Sequence, residues 1–499
     1  MDNLHLSLIV EKQLKREIRI LNLLNEQAQS ISGSEIARIL DVSLSTILND
    51  LDVLKEKIPD NWTIEFKKNI GYSLIITEGI SMPNYMRDIL LDSPLFEIGI
   101  TIFNNELLDV YDWEERLYVI DSTLKRYLTI FRGVLKEYNL KLSTSPVNII
   151  GKEVDIRIFY FDFFHSSSKI SQLEYPTEKE VEFFEELKTT YSYDFLQYHR
   201  SLYWIMVVVR RNINGNEIEL NQELVEIVKK KISLDRVEKV ENLFLKVFSQ
   251  KISFNELIFL YLIRWDTLIL GEMNKLISIE IVNEEIKKMV NNFILKQIKK
   301  LRIDRHVYPQ IYPYFILFFT HIFTMSIISP LFQKSTYETR LFVQTTHASL
   351  YHFWLDALLE NKRMFKNMSE VYFEDIAVQL TMLALTYFKT DFSEPKHIVF
   401  ILETSVINLN YVTKLAERYI LNNVRVTVIS NSAFSENLVE TFEADLLVSN
   451  IHLETNQKIV YISDLPTVRE WNYINDLIFN LEELTTKYNL NIKPADDES

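Results

Sequence analysis

Four cations in one short stretch are spaced so that they could neutralise phosphate. Lys125, Arg132 and Lys136 share a stripe with Thr129 at helical spacing, and Arg126 stands beside it. Leu124, Leu128, Phe131 and Leu135 fall on the opposite side, so the cations are expected to face solvent. Lys67 and Lys68 adjoin one another further upstream, between two alternating runs. Ser45, Thr46 and Asn49 offer hydroxyls and an amide, groups able to hydrogen-bond base edges. The chemistry these residues suit is recognition of a polyanion, in which phosphate neutralisation supplies the sequence-independent affinity. Bond-making chemistry has little support. The chain has no cysteine, which removes thiol nucleophiles, thiolate metal sites and disulfides. A Gly-rich phosphate loop, HExxH and GxSxG are all missing, so no cofactor, metal or enzymatic activity is expected.

These side chains need elements to hold them. Residues 14–26 carry Leu14, Ile18, Leu21 and either Leu24 or Asn25 at helical spacing. Ser32-Gly33-Ser34-Glu35 has capping-box spacing and opens a short helix, SEIARIL. Asp41-Val42-Ser43 then turns, and Ser43 can cap LSTILNDLDVLKEKI. In that helix Leu44, Ile47, Leu51, Leu54 and Ile58 are expected inward, with Ser45, Thr46, Asn49, Asp52 and Glu56 outward or flanking. Two such helices, with small Ala37 where they cross, make the helix-turn-helix pattern. Past Pro59, Trp62–Phe66 and Tyr72–Ile76 alternate around Lys67-Lys68-Asn69 and Gly71. That is a hairpin, a wing whose lysines would lie on phosphates.

The pattern then repeats. Asp112-x-x-Glu115 has capping-box spacing and precedes STLKRYLTIFRGVLKEY. Setting Ser45 on Ser122 sets Ile47 on Leu124, Leu51 on Leu128, Leu54 on Phe131 and Ile58 on Leu135. LKLSTSPVNIIG, ending at Gly151, reads as a second wing. A duplicated unit is a stronger signal than either copy alone. The first copy sets Asp50, Asp52 and Glu56 against Lys55 and Lys57, so the second copy is expected to bind the backbone more strongly.

A length of 499 residues implies three to five domains. The net charge of −15 means that any polyanion site must be local. Eight glycines and eleven prolines favour long helices with short turns. MDNLHLSLIVEKQLKRE is not a signal peptide, and a cytoplasmic protein is expected. Ile311–Phe332 is apolar, but Pro313, His321, Ser326 and Pro330 interrupt it, which favours a buried core helix over a membrane span. After Pro395 the runs Lys396–Leu402, Val424–Ile429, Asp445–Ser449 and Lys458–Ile462 read as strands of a small parallel sheet.

The paired winged helices, GKEVDIRIFYFDFF after the second wing, and helical blocks from about Asp155 to Thr390 resemble the Mga/RofA-type transcription regulators. Helical blocks in that family are phosphotransferase regulation domains (PRDs). Arg210–Ile218, with Gly215 in its turn, resembles a mark of the first block. His321 ahead of Ser329-Pro330-Leu331, and Phe373–Ala377, resemble marks of the second. The C-terminal region resembles the IIB component of phosphotransferase systems, which carries its phosphoryl group on a cysteine just after strand one. Here Glu403-Thr404-Ser405-Val406-Ile407-Asn408 lacks that cysteine, so the domain is expected to dock or dimerise. The resemblance also implies histidine phosphorylation by the sugar phosphotransferase phosphocarrier. Imidazole suits that role, because it is nucleophilic and titrates near neutrality. His199 and His321 are the candidates, with His306, His347 and His352 behind them. Tyr203 stands where the first block usually has its histidine, about one turn after His199.

The expected fold is mainly α. Winged helix-turn-helix units cover 1–80 and 81–160, all-helical PRDs cover 161–285 and 286–392, and a IIB-like α/β domain covers 393–499. Expected partners are double-stranded DNA, a second copy in a homodimer, and the phosphocarrier, with no membrane. Ser45, Thr46 and Asn49 would read bases; Lys67, Lys68, Lys125, Arg126, Arg132 and Lys136 would hold the backbone. Other readings stay open. An RNA-binding antiterminator with the same PRDs would carry a small β-rich domain in front, and a protein-binding adaptor would suit the acidic first copy. A phosphotransferase component with turnover is opposed by the missing cysteine.

Overall fold

A computed structural model describes residues 3–26, 30–68, 70–165, 173–191, 198–230, 232–263, 284–301, 308–335, 337–365, 368–387, 396–420, 424–430, 444–453, 457–475 and 477–478. The chain forms two compact units. One comprises Met1–Lys296, Tyr312–Glu338 and Arg363–Tyr372; the other comprises Gln297–Ile311, Thr339–Lys362 and Phe373–Ser499.

The first unit opens with helices α1 (Asn3–Leu8) and α2 (Lys12–Glu26), the latter burying Ile18, Leu21 and Leu24. Helices α3 (Gly33–Leu40) and α4 (Leu44–Lys57) follow, joined by the turn at Asp41–Ser43. Both start at a serine cap: the Glu35 N–H donates to Ser32 Oγ (3.1 Å) and the Thr46 N–H to Ser43 Oγ (3.2 Å). The expected capping box is only half made, because the Glu35 carboxylate turns to Arg38 instead. Ile47, Leu51 and Leu54 are buried as expected. Leu44 is not: it lies in the first turn, short of the core, and is 43% exposed.

Strands β1 (Trp62–Lys67) and β2 (Gly71–Ile76) pair antiparallel, from Trp62 with Ile76 to Lys67 with Gly71. Ile31 adds a third layer by exchanging both backbone hydrogen bonds with Tyr72 (2.9 and 2.8 Å). Gly71 makes that exchange possible. Its φ is +133°, and a Cβ there would stand 2.3 Å from the Ile31 carbonyl oxygen.

Helices α5 (Met82–Leu91) and α6 (Pro94–Phe103) lead into the second copy. It consists of α7 (Val110–Arg116), α8 (Asp121–Lys136), β3 (Lys141–Thr144) and β4 (Val147–Ile150). Its box sits one turn earlier than expected: the Asp109 N–H donates to Asp112 Oδ2 (3.2 Å), in place of an Asp112–Glu115 pair. The helix starts where Asp109, itself in an extended conformation (φ −77°, ψ 167°), caps it. The duplication extends into the turn between the helices. Asp41 and Tyr118 take the same left-handed conformation (φ 53° and 52°), and the next N–H, of Val42 or Val119, returns to the carbonyl of Ala37 or Glu114.

Helix α9 (Glu153–Phe164) is buried on nearly every side, with Phe163 stacked on Phe96 at 4.6 Å. Helix α11 (Tyr198–Ile213) packs on α9; α10 (Glu178–Tyr191) and α14 (Phe254–Ile263) pack on α11, α13 (Leu234–Phe248) on α10, and α12 (Gln222–Lys229) on α14. Helices α15 (Glu284–Lys300) and α16 (Tyr308–Ile328) belong to this unit for most of their length. Phe315, Phe319, Phe323 and Met325 of α16 are buried, and no helix among the described residues is long and apolar enough to cross a membrane.

The second unit contains α18 (Ala348–Glu360), which follows α17 (Tyr337–Thr346) and packs on α19 (Phe373–Tyr387). It also holds β5 (Lys396–Leu402), α20 (Val406–Tyr419), β6 (Val424–Ser430), β7 (Leu446–Ser449) and β8 (Ile459–Tyr461). The strands form one parallel sheet in the order β6-β5-β7-β8, as the sequence runs anticipate. Ile398–Leu402 of the central β5 are buried on both faces, as parallel sheets require.

Candidate nucleic-acid interface

Helix α4 is the second helix of the first helix-turn-helix. Ser45 and Asn49 are exposed and Thr46 half-buried. The Ser43 hydroxyl lies 2.9 Å from that of Ser45 and 2.8 Å from that of Thr46, a polar cluster at the helix start. The acidic character expected of this helix is smaller than its composition suggests. Asp50 is 1% exposed and held by the Arg16 guanidinium, so it faces inward, away from any partner. Lys57 in turn pairs with buried Glu17 (3.3 Å), and Lys55 with Asp52 (3.0 Å). Two ion pairs thus pin α2 to α4. Lys67 and Lys68 are exposed toward the end of the wing, Lys67 at 3.7 Å from Glu65. Exposed Phe66 and Ile70 flank them, a feature the charge-based reading passed over. Asn69 lies outside the described residues.

Helix α8 occupies the equivalent place in the second copy. Leu124, Leu128, Phe131 and Leu135 are buried, and Lys125, Arg126, Thr129, Arg132 and Lys136 are all exposed on the other side. Lys125 Nζ donates to the Asp121 carboxylate (2.8 Å), which raises the lysine pKa above its usual value. Arg132 and Lys136 form no ion pair with any described residue. The cationic face is therefore available to an outside anion. Two neighbours went unnoticed in the sequence. Tyr118, in the turn, is 95% exposed, and Ile120, just before α8, is 71% exposed. The signal was there: an aromatic stands where the first copy has Asp41, at a position calling for a left-handed residue.

The histidines are scattered. His199 is exposed at the start of α11, and His321 is half-buried in α16. His352 is exposed on α18, His347 is half-buried just before it, and His306 lies outside the described residues. Tyr203 is buried, its hydroxyl donating to the Glu174 carbonyl (2.6 Å), and burial raises its pKa. Among the described residues, no group of three or more His, Asp or Glu could hold a metal.

Tandem helix-turn-helix units with wings place this chain in the class of helix-turn-helix DNA-binding regulators, and residues 16–73 match the family model described as an HTH domain. Residues 78–164 match the family model described as an Mga helix-turn-helix domain, and they include α8, the second wing and all of α9. The likeness to Mga-type regulators extends over most of the chain. It is 21% identical to the "Capsule synthesis positive regulator AcpB" of Bacillus anthracis, over 93% of this chain and 98% of that protein. A "Putative trans-acting regulator" of Streptococcus pneumoniae is 24% identical, over 94% and 98%. The "Anthrax toxin expression trans-acting positive regulator" of B. anthracis is 22% identical, over 94% and 99%. These relatives are regulators, not enzymes.

Proposed function

We propose that the chain is a DNA-binding transcription activator of the Mga type, cytoplasmic and working as a homodimer. The observation that carries this is the exposed cationic face of α8, set beside a wing within the Mga helix-turn-helix domain. Ser45, Thr46 and Asn49 would read bases, while Lys67, Lys68, Lys125, Arg126, Arg132 and Lys136 hold phosphates. Activation follows from the two relatives named as positive regulators. Binding of purified chain to duplex DNA, followed against salt, tests the reading. A steep loss of affinity with salt is expected, and no binding at low salt would leave the protein-binding adaptor in its place.

We infer further that 161–285 and 286–392 are PRDs and 393–499 a IIB-like domain. Supporting this are the order of elements and the turn after Arg210, which Gly215 makes at φ 79°. In the C-terminal domain Asn450 ties the loops after β5, β7 and β8 together, bonding Glu403 O (3.0 Å) and Asp464 Oδ1 (2.7 Å). Exposed Val406, Ile407, Leu465 and Val468 flank that tie, a surface suited to a second copy. Removing residues 391–499 should shift the light-scattering mass from dimer to monomer; equal masses would sink the dimer assignment.

Incubation with the general phosphotransferase enzyme, the phosphocarrier and phosphoenolpyruvate should place acid-labile, base-stable phosphate on histidine. Exposed His199 is open to the carrier, and half-buried His321 must be reached in α16. His199→Ala and His321→Ala should each reduce the label. Each phosphate adds about −1.5 to −2 charges, enough to alter a dimer contact. Failure to label, under conditions that label a known PRD protein, would remove the sugar-signalling step.

A further inference from the structure

Two residues of the second helix-turn-helix work against its own stability, and nothing in the fold explains either. Gly133 lies inside α8, where glycine weakens a helix relative to alanine. Glycine is usually retained for a positive φ or for close packing. Gly133 is not among the residues with positive φ, and apart from its chain neighbours and the adjoining backbone of α8 no described atom lies within 4 Å of where its Cβ would be. The remaining use for a bare backbone is close approach by something outside the chain. Tyr118 presents the converse case. A bulky aromatic holds a left-handed conformation (φ 52°) with its side chain 95% exposed, where the equivalent residue is Asp41. Asparagine or glycine would sit there with less strain.

Both positions belong to the surface that carries the cations. Gly133 adjoins Arg132 and lies one turn before Lys136, on the exposed side of α8. It stands about 18 Å along the axis from Asp121, at 1.5 Å per residue. The major groove is about 12 Å wide, so a helix entering by its first turns meets the phosphate wall near its last ones. Tyr118 precedes the first turn, at the opposite wall.

We propose that Tyr118 and Gly133 are DNA-contact positions at the two ends of α8, which rests on the DNA-binding reading above. The Tyr118 ring and hydroxyl lie against the sugar–phosphate backbone at one wall. At the other, a backbone strand passes over the bare Cα of Gly133, between the Arg132 and Lys136 charges.

The test is Gly133→Ala and Tyr118→Asn in the full chain, with a fluorescein-labelled mixed-sequence duplex as probe. Each variant should melt at or above the wild-type midpoint, since each relieves a local cost. Each should bind about tenfold more weakly, a loss of about 1.4 kcal/mol. The salt slope should stay that of wild type, because no charge is removed. Unchanged affinity for either variant overturns the proposal, as does an affinity loss that comes only with a lower melting midpoint. If wild type binds and loss of the α8 cations weakens it while Gly133→Ala has no effect, this inference falls and the regulator reading stands. If wild type does not bind duplex at all, both fall.

Discussion

Replacing Arg126, Arg132 and Lys136 together by alanine should weaken binding to every duplex alike and flatten its salt dependence. The three side chains are exposed on one side of α8, and Arg132 and Lys136 have no ion-pair partner among the described residues. Each phosphate contact contributes about 0.9 to the slope of log K against log salt, so three lost contacts lower it by about 2.7. Lys125 makes a useful control. It must leave Asp121 to reach a phosphate, so Lys125→Ala should lower the slope by less than loss of Arg132 or Lys136 does. Because the replaced residues point away from the core, the melting midpoint should hardly move. Unchanged affinity and slope would put protein binding ahead of DNA binding.

The largest stability effect is expected at Arg157, which is 0% exposed within α9. Its guanidinium donates to both oxygens of buried Glu256 (2.6 and 2.7 Å), to Glu153 (2.9 Å) and to the Asn216 carbonyl (2.8 Å). Glu153 also accepts from Arg211 (2.7 and 3.0 Å), and Glu256 from the Ile218 N–H (2.9 Å). Burial disfavours the arginine's charge, but its carboxylate partners outweigh that and raise its pKa. Arg157→Met leaves Glu256 charged and unpaired in the core, which should cost about 3–5 kcal/mol. Replacing both partners, Arg157→Met with Glu256→Leu, should recover much of that loss, because no charge is then stranded. Denaturant unfolding of the two variants and of wild type decides it. If the double variant is no more stable than the single, the network's contribution is not the one described.

What could be read from the sequence was local. Ser32 and Ser43 cap helices because a hydroxyl three residues ahead of an N–H needs nothing distant. The wings show in the alternation at Trp62–Phe66 and Leu140–Ser143. The register of α8 followed from the repeat, since Leu124, Leu128 and Phe131 copy Ile47, Leu51 and Leu54. Parallel strands announced themselves as short apolar runs. What escaped notice depends on distant partners. Asp50 looked like surface charge because Arg16, which buries it, is 34 residues away. Arg157 meets Glu256 across 99 residues, with no motif to link them. The helices Met82–Leu91 and Pro94–Phe103 have no counterpart in the sequence reading, and Leu44 has helical spacing yet sits beyond the edge of the core. Among the candidate site residues, charge and duplication singled out the α8 cations. Tyr118 and Gly133 become conspicuous only once φ and open space are known.

Ser329 donates to the Asp155 carboxylate of α9 (2.5 Å), whose pKa burial raises. Nearby Lys334 reaches Glu137 (3.5 Å) and lies over the Tyr138 ring (4.6 Å), just past the end of α8. Asp155 and Ser329 are 174 residues apart. On the ribosome, the second winged helix must therefore emerge with that side bare and wait for the Ser329–Lys334 segment. At about 5–20 residues per second, the wait is on the order of ten seconds or more. Until then Asp155 lacks its hydroxyl partner and Tyr138 its cover, so the second winged helix reaches its finished surface only after more than half the polypeptide has been made.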